Sequence, residues 1–157
     1  MEPSQFDESA FFRALADSHV RALLIGRRAL VLLGLPVLTA DYDFWIAIED
    51  IEGFNAVAAG FDLHASHAPA DARRRGRYVL ENDEHVDVLV ARSIPTVDGT
   101  PLEFPTLWAR HQRVPLRETH VAIPSIDDLI LTKQIASRPK DVEDIRMLRV
   151  LKESAGD

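Results

Sequence analysis

Cysteine is absent from the 157 residues. Disulfides, zinc–thiolate sites and thiol catalysis are therefore excluded. Methionine, tryptophan and tyrosine each occur only twice, so a core must be packed largely from Leu, Val, Ile and Ala with seven Phe. Long hydrophobic runs are missing too. The longest apolar stretch, Ala29 to Leu38, contains Gly34 and Pro36 and is too short to span a bilayer. Positive charge is in deficit: 18 Lys and Arg stand against 25 Asp and Glu, for a net charge of −7. That balance suits a soluble chain with no general attraction to nucleic acid. The first residues, Met1-Glu2-Pro3-Ser4, are polar and acidic and lack the basic-then-apolar pattern of a signal peptide. These absences point to a cytoplasmic protein that does not engage a membrane.

What remains is ample for a core, since 46% of the chain is hydrophobic. The length suits one domain, 1–157, with no internal repeat and no low-complexity tract. Apolar spacing predicts a helix over 9–18, a buried strand over 20–25 ended by Gly26, and a helix over 27–33 stopped by Gly34 and Pro36. Residues 41–48 alternate as a strand, and 50–59 reads as a helix with Asp50 as N-cap and Gly60 as its stop. Two short strands, 77–80 and 85–90, flank the turn residues Asn82 and Asp83 and predict a hairpin. Residues 95–105 read as irregular, 106–112 as a helix and 118–123 as a strand. Ser125, with Asp128 three residues on, opens a helix reaching to about Ser137, and Pro139 opens a last helix to 152. The order of elements gives an α/β (α+β) domain with a mixed sheet.

Asp41 and Asp43 stand two apart in a strand, so both carboxylates project from one face while Tyr42, Phe44 and Ile46 point to the other. Paired carboxylates are what a hard divalent cation needs. Two such ions can bracket a transferring phosphoryl group. Asp87 alternates in the same way against Val86, Val88 and Val90, and completes the cluster if its strand lies beside the first. The plain alternative for an Asp-x-Asp is a solvated edge or turn.

Leu23-Leu24-Ile25-Gly26, a helix, and then Thr39-Ala40-Asp41-Tyr42-Asp43-Phe44-Trp45 resemble the opening motif of the DNA-polymerase-beta-like nucleotidyltransferase superfamily. His85-Val86-Asp87-Val88-Leu89-Val90 resembles the strand that carries its third acid. Ser125 to Lys133 and Arg138-Pro139-Lys140-Asp141-Val142-Glu143-Asp144-Ile145 resemble the closing helices of its minimal bacterial group, which includes abortive-infection (type IV toxin–antitoxin) proteins. The resemblance covers roughly 20–150. It implies a nucleotidyltransferase fold, in which a mixed sheet is flanked by helices and closed by C-terminal helices. It implies transfer of a nucleoside monophosphate from a nucleoside triphosphate to an acceptor hydroxyl on a protein, a tRNA end or a small molecule. It further implies magnesium, two ions, held by Asp41 and Asp43 with Asp87, which also positions or deprotonates the acceptor. Gly26 would let the backbone approach the triphosphate, and Lys133 would contact phosphate. A partner protein or a homodimer fits the group.

Arg27 departs from that pattern, which has a small residue after the glycine. It either supplies a phosphate-binding guanidinium or fills the phosphate site, leaving an inactive nucleotide-binding module or a toxin–antitoxin component. A phosphodiesterase using the same acids is a third reading, weakened by the lack of a His-rich ligand pattern. Other residues carry two readings each. Lys133 is a phosphate ligand or a surface lysine covering apolar area. Asp141 reinforces the site through Lys133 or Arg138, or simply stabilises a helix start. Arg73-Arg74-Arg75-Gly76-Arg77 attracts phosphate, with Arg77 best placed, or is a solvated loop. Trp45 stacks on a base or packs in the core. His64 and His67 read as surface residues, and His85 as a neighbour able to tune Asp87.

Overall fold

The computed structural model describes residues 6–136 and 138–156. The expectations placed on Met1–Ser4 and on a helix end at Ser137 lie outside them. Helix α1 (Glu8–Asp17) is capped by the Asp7 side chain, which accepts from the Ala10 N–H, and it buries Phe11, Phe12 and Leu15. Strand β1 (Ala22–Ile25) is buried throughout and runs directly into α2 (Gly26–Leu32). Strand β2 (Asp41–Ile46) ends two residues before the predicted 48, because Ile48–Asp50 winds into a 3-10 turn ahead of α3 (Ile51–Ala59). Asp50 does not cap α3 through its side chain. Its carboxylate instead accepts from the Arg21 N–H at 2.9 Å and from Arg21 Nε at 3.0 Å. The ionised partner forms the stronger bond, so the tertiary pairing displaces the local cap.

Short β3 (His64–Ala65) precedes α4 (Pro69–Arg75), a stretch expected to be a loop. Pro69 sits in the first turn, where its missing N–H costs nothing, and Gly76 closes the helix at φ +77°. The arginine run therefore lies in a last helical turn, where cations suit the dipole. Arg73 pairs with Glu52 and Arg74 with Asp71. Strands β4 (Arg77–Glu81) and β5 (His85–Leu89) form the expected hairpin, with the Asn82 side chain accepting from the Glu84 N–H.

The segment expected to be irregular holds a small hairpin, β6 (Ser93–Pro95) with β7 (Pro101–Glu103). Helix α5 (Phe104–Ala109) is followed by a second hairpin, β8 (Gln112–Leu116) with β9 (Thr119–Ile123). Pro115 on β8 had no strand-like alternation to reveal it, and an edge strand tolerates the proline. Helix α6 (Ile126–Lys133) is capped by the Ser125 side chain, which accepts from the Asp128 N–H. Asp128 does not return that bond. It is buried and its carboxylate is gripped by Arg110 at 2.6 and 2.7 Å. Helix α7 (Pro139–Gly156) completes the described chain.

The main sheet has the order β1-β2-β5-β4-β3, with β2 and β5 parallel and the other pairs antiparallel. This is the mixed sheet expected from the sequence. One face carries Leu24, Tyr42, Phe44, Ile46, Val86 and Val88 against α1 and α3, where Phe11, Phe44 and Phe54 pack edge to face. The other face divides lengthwise. At one end Leu23, Ile25 and Trp45 are covered by Leu102, Phe104 and Leu107. The opposite end, which bears the acids, is left free by this cluster and faces α6 and α7. No described helix is long and apolar enough to cross a membrane.

Candidate active site

The two-residue alternation of β2 carries Asp41 and Asp43 to the face opposite Tyr42 and Phe44. The parallel β2–β5 ladder places Asp43 opposite Asp87 and Asp41 opposite His85. In-register residues on neighbouring strands share a face, so the three aspartates lie on one face of two strands whose paired residues, such as Asp43 and Asp87, are 44 positions apart in the sequence. On β4, Val79 stands opposite Asp87, which puts Arg77 on that face as well.

Gly26 follows Ile25, the residue opposite Asp43. Its φ is +70°, and a Cβ there would fall inside contact distance of Asp43 Oδ2 and 3.0 Å from Asp43 Cβ. Glycine is therefore required twice at this turn, for its backbone conformation and to leave room for the carboxylate. Gly26→Ala is expected to destabilise the fold by about 1–3 kcal/mol, read as a lower urea midpoint with an unchanged slope. An unchanged midpoint would contradict the turn geometry.

Helices α6 and α7 close the cleft from above. Together with the sheet end they form a cavity of about 390 Å³ whose walls include all eight residues singled out from the sequence: Gly26, Arg27, Asp41, Asp43, Arg77, Asp87, Lys133 and Asp141. Arg138 and Lys140 also line it, although the sequence reading gives them no binding role. Lys133 is not a surface lysine: it is 6% exposed, with Nζ 2.8 Å from Asp144 and 4.0 Å from Asp141. Asp141 accepts from the Arg138 N–H at 3.2 Å and from Arg138 Nε at 2.8 Å, so it stabilises the start of α7 and holds a cleft cation at once. Arg27 turns its fork to the fully buried Asp144, with Nε and Nη2 donating at 3.2 and 3.1 Å, and Nη1 donates to the Leu38 carbonyl. Asp144 stands in the segment Arg138 to Ile145, but nothing in the sequence points to its partner, because Arg27 lies 117 residues away. Trp45 is fully buried and its indole N–H donates to the Ala91 carbonyl, so it is a core aromatic and not a platform for a base.

The electrostatics divide the cleft. Burial holds the Asp43 carboxyl above the ordinary carboxylate range, and Asp87 and Asp41 push it further while Lys133 and Lys140 oppose them. Burial alone would raise Asp144 too, but hydrogen bonds from Lys133 and Arg27 outweigh it and bring that carboxyl down. The inner acid is thus satisfied, whereas Asp43 is short of positive charge. His85 Nε2 lies 3.2 Å from Asp87 Oδ2.

Among the described residues no group of three or more His, Cys, Asp or Glu side chains is placed to hold a metal ion by itself. Magnesium does not need one, since it takes one or two carboxylates and completes its shell with water and phosphate oxygens. The donors here are all hard oxygens, and Asp43 sits where added positive charge relieves it. The residues fit the ion on these grounds. A second concavity, about 450 Å³, lies by the start of β1 and includes His19, His111 and His120. It is the larger of the two but holds none of the three aspartates, so chemistry and not size selects the site.

No family model matches the chain, and no curated protein matches it in sequence. Its fold is similar to that of the 1.87 Å crystal structure of a Thermotoga maritima protein provisionally named a nucleotidyltransferase, with a TM-score of 0.60 and 14% identity over 94% of this chain and 89% of that one. At that identity the likeness is one of architecture, and the architecture of this chain is a nucleotidyltransferase-type fold.

Proposed function

We propose that the chain is a metal-dependent nucleotidyltransferase that moves a nucleoside monophosphate from a nucleoside triphosphate to an acceptor hydroxyl. The observation that carries this reading is the meeting of Asp41, Asp43 and Asp87 with Arg77, Lys133, Arg138 and Lys140 in one cleft, beside a glycine turn. Asp41 and Asp43, with Asp87, would hold magnesium, which when bound supplies charge neutralisation for the transferring phosphoryl group. The basic residues and the turn at Gly26 orient the triphosphate. Asp87, half-exposed and steadied by His85, takes or positions the hydrogen of the acceptor hydroxyl. Arg27 lies on Asp144 and not across the turn, which supports an active site over a blocked one. The order of the motifs supports a place beside the minimal abortive-infection group, with a toxin–antitoxin role, a partner protein and a cytoplasmic setting as parts of the same proposal.

The test is a screen of the four radiolabelled nucleoside triphosphates with magnesium against RNA, protein and small-molecule fractions of a cell extract. The expected result is label transfer in one fraction, abolished by a chelator. Failure to bind any of the four with magnesium would overturn the reading.

A further inference from the structure

Asp144 is one carboxylate shared by two cations. Its Oδ1 accepts from Arg27 Nη2 at 3.1 Å, while Oδ2 accepts from Arg27 Nε at 3.2 Å and faces Lys133 Nζ at 2.8 Å. Asp144 is fully buried, Lys133 nearly so, and Arg27 a quarter exposed. The three belong to α7, α6 and α2, and Arg27 also reaches the Leu38 carbonyl in the segment leading to β2. Lys133 and Arg27 both border the cleft, whereas Asp144 stands behind them.

We propose that Arg27 is a positioning residue which acts on the nucleotide through Asp144 and Lys133, and not by touching phosphate. An ammonium has three donors. With Arg27 occupying both oxygens of Asp144, Lys133 can spend only one donor on that carboxylate, and the rest of its charge faces the cleft. Without Arg27, Asp144 is free to close on Lys133 as a neutral pair, and the cleft loses a cation in front of Asp43. The fork geometry matters here, because a guanidinium presents two parallel N–H donors that match both oxygens of one carboxylate. An arginine directly after the turn glycine is then not an obstruction to phosphate, since its head is drawn back to α7 and the turn stays open.

The inference rests on the nucleotidyltransferase reading. It is tested by a double-mutant cycle in nucleotide binding, read by calorimetry with magnesium and whichever triphosphate binds the wild-type chain best. Arg27→Met and Lys133→Met are each expected to weaken binding about tenfold, and the double variant is expected to bind no more weakly than Lys133→Met alone. Arg27→Lys, which keeps the charge but loses the fork, is expected to recover only part of the loss. Thermal unfolding of each variant confirms that the binding changes come from folded protein. Should Arg27→Met weaken binding as strongly in the Lys133→Met background as in wild type, Arg27 contacts phosphate itself and the inference fails. Wild-type affinity in Arg27→Met also overturns it. A wild-type chain that binds none of the triphosphates removes the underlying function and this inference with it, and the wild-type titration alone separates that failure from one confined to Arg27.

Discussion

Replacing Asp41 and Asp43 together by Asn is expected to lower nucleotidyl transfer by on the order of 10³-fold or more while leaving the fold intact. The loss follows because the amide keeps the shape of each side chain but removes the charge that a divalent cation and the developing phosphoryl charge both require. Stability moves the other way. The Asp43 carboxyl is held above its ordinary range by burial first and by Asp87 next. A raised acid opposes folding once it is ionised. That penalty is absent below its unfolded value, grows as pH rises toward the folded value and is complete above it. The double variant should therefore unfold at a higher temperature than wild type at neutral pH in the presence of a chelator, with the gain shrinking as pH falls and gone by about pH 4. Transfer assays and melting curves across pH check both halves. Wild-type turnover in the double variant would refute the assignment of the acids.

Asp144→Ala is expected to destabilise the chain by about 3–5 kcal/mol at neutral pH, the usual consequence of removing one partner from a buried ionic group. Among the described residues, Lys133 would keep only Asp141, at 4.0 Å, as a carboxylate neighbour within ion-pair reach. The pH dependence has the opposite sign to that of Asp43. Hydrogen bonds from Lys133 and Arg27 bring the Asp144 carboxyl below its ordinary value despite its burial. A depressed acid contributes stability that is fully present above the unfolded value and is lost as pH falls through the folded one. The gap between wild type and Asp144→Ala should thus be widest near neutrality and narrow below about pH 4. Urea unfolding at several pH values measures it. A gap that does not change with pH would show that the loss is one of packing and not of charge.

The two effects arise a short distance apart in one cleft, and they describe its design. The inner triad of Asp144, Lys133 and Arg27 is electrostatically satisfied and ties three helices together. Asp43 is left wanting a cation. Stability is thus concentrated behind the site and the unfavourable charge at Asp43, where a ligand can relieve it.

Several elements escaped a reading of the sequence for identifiable reasons. The arginine run from Arg73 read equally as a solvated loop, yet Pro69 is accepted in the first turn of a helix that carries Arg73 to Arg75. Asp50 had the composition of an N-cap but found a stronger partner in Arg21. The hairpins β6–β7 and β8–β9 are short and contain Pro95, Pro101 and Pro115, so alternation gives little signal.

The sequence by itself determined which residues could share a face. Alternation on β2 and β5 is a property of the local backbone, so Asp41 and Asp43 had to project together and Asp87 away from its valines. The glycine after Ile25 likewise marked a turn from residue chemistry alone. Tertiary structure decided which faces meet. Only the parallel pairing of β2 with β5 brings Asp87 beside Asp43. Only the return of α7 across the sheet end buries Lys133 and takes the Arg27 fork away from the glycine turn. Side-chain direction follows from neighbouring dihedrals, whereas a pairing across 117 residues depends on how every element between them packs.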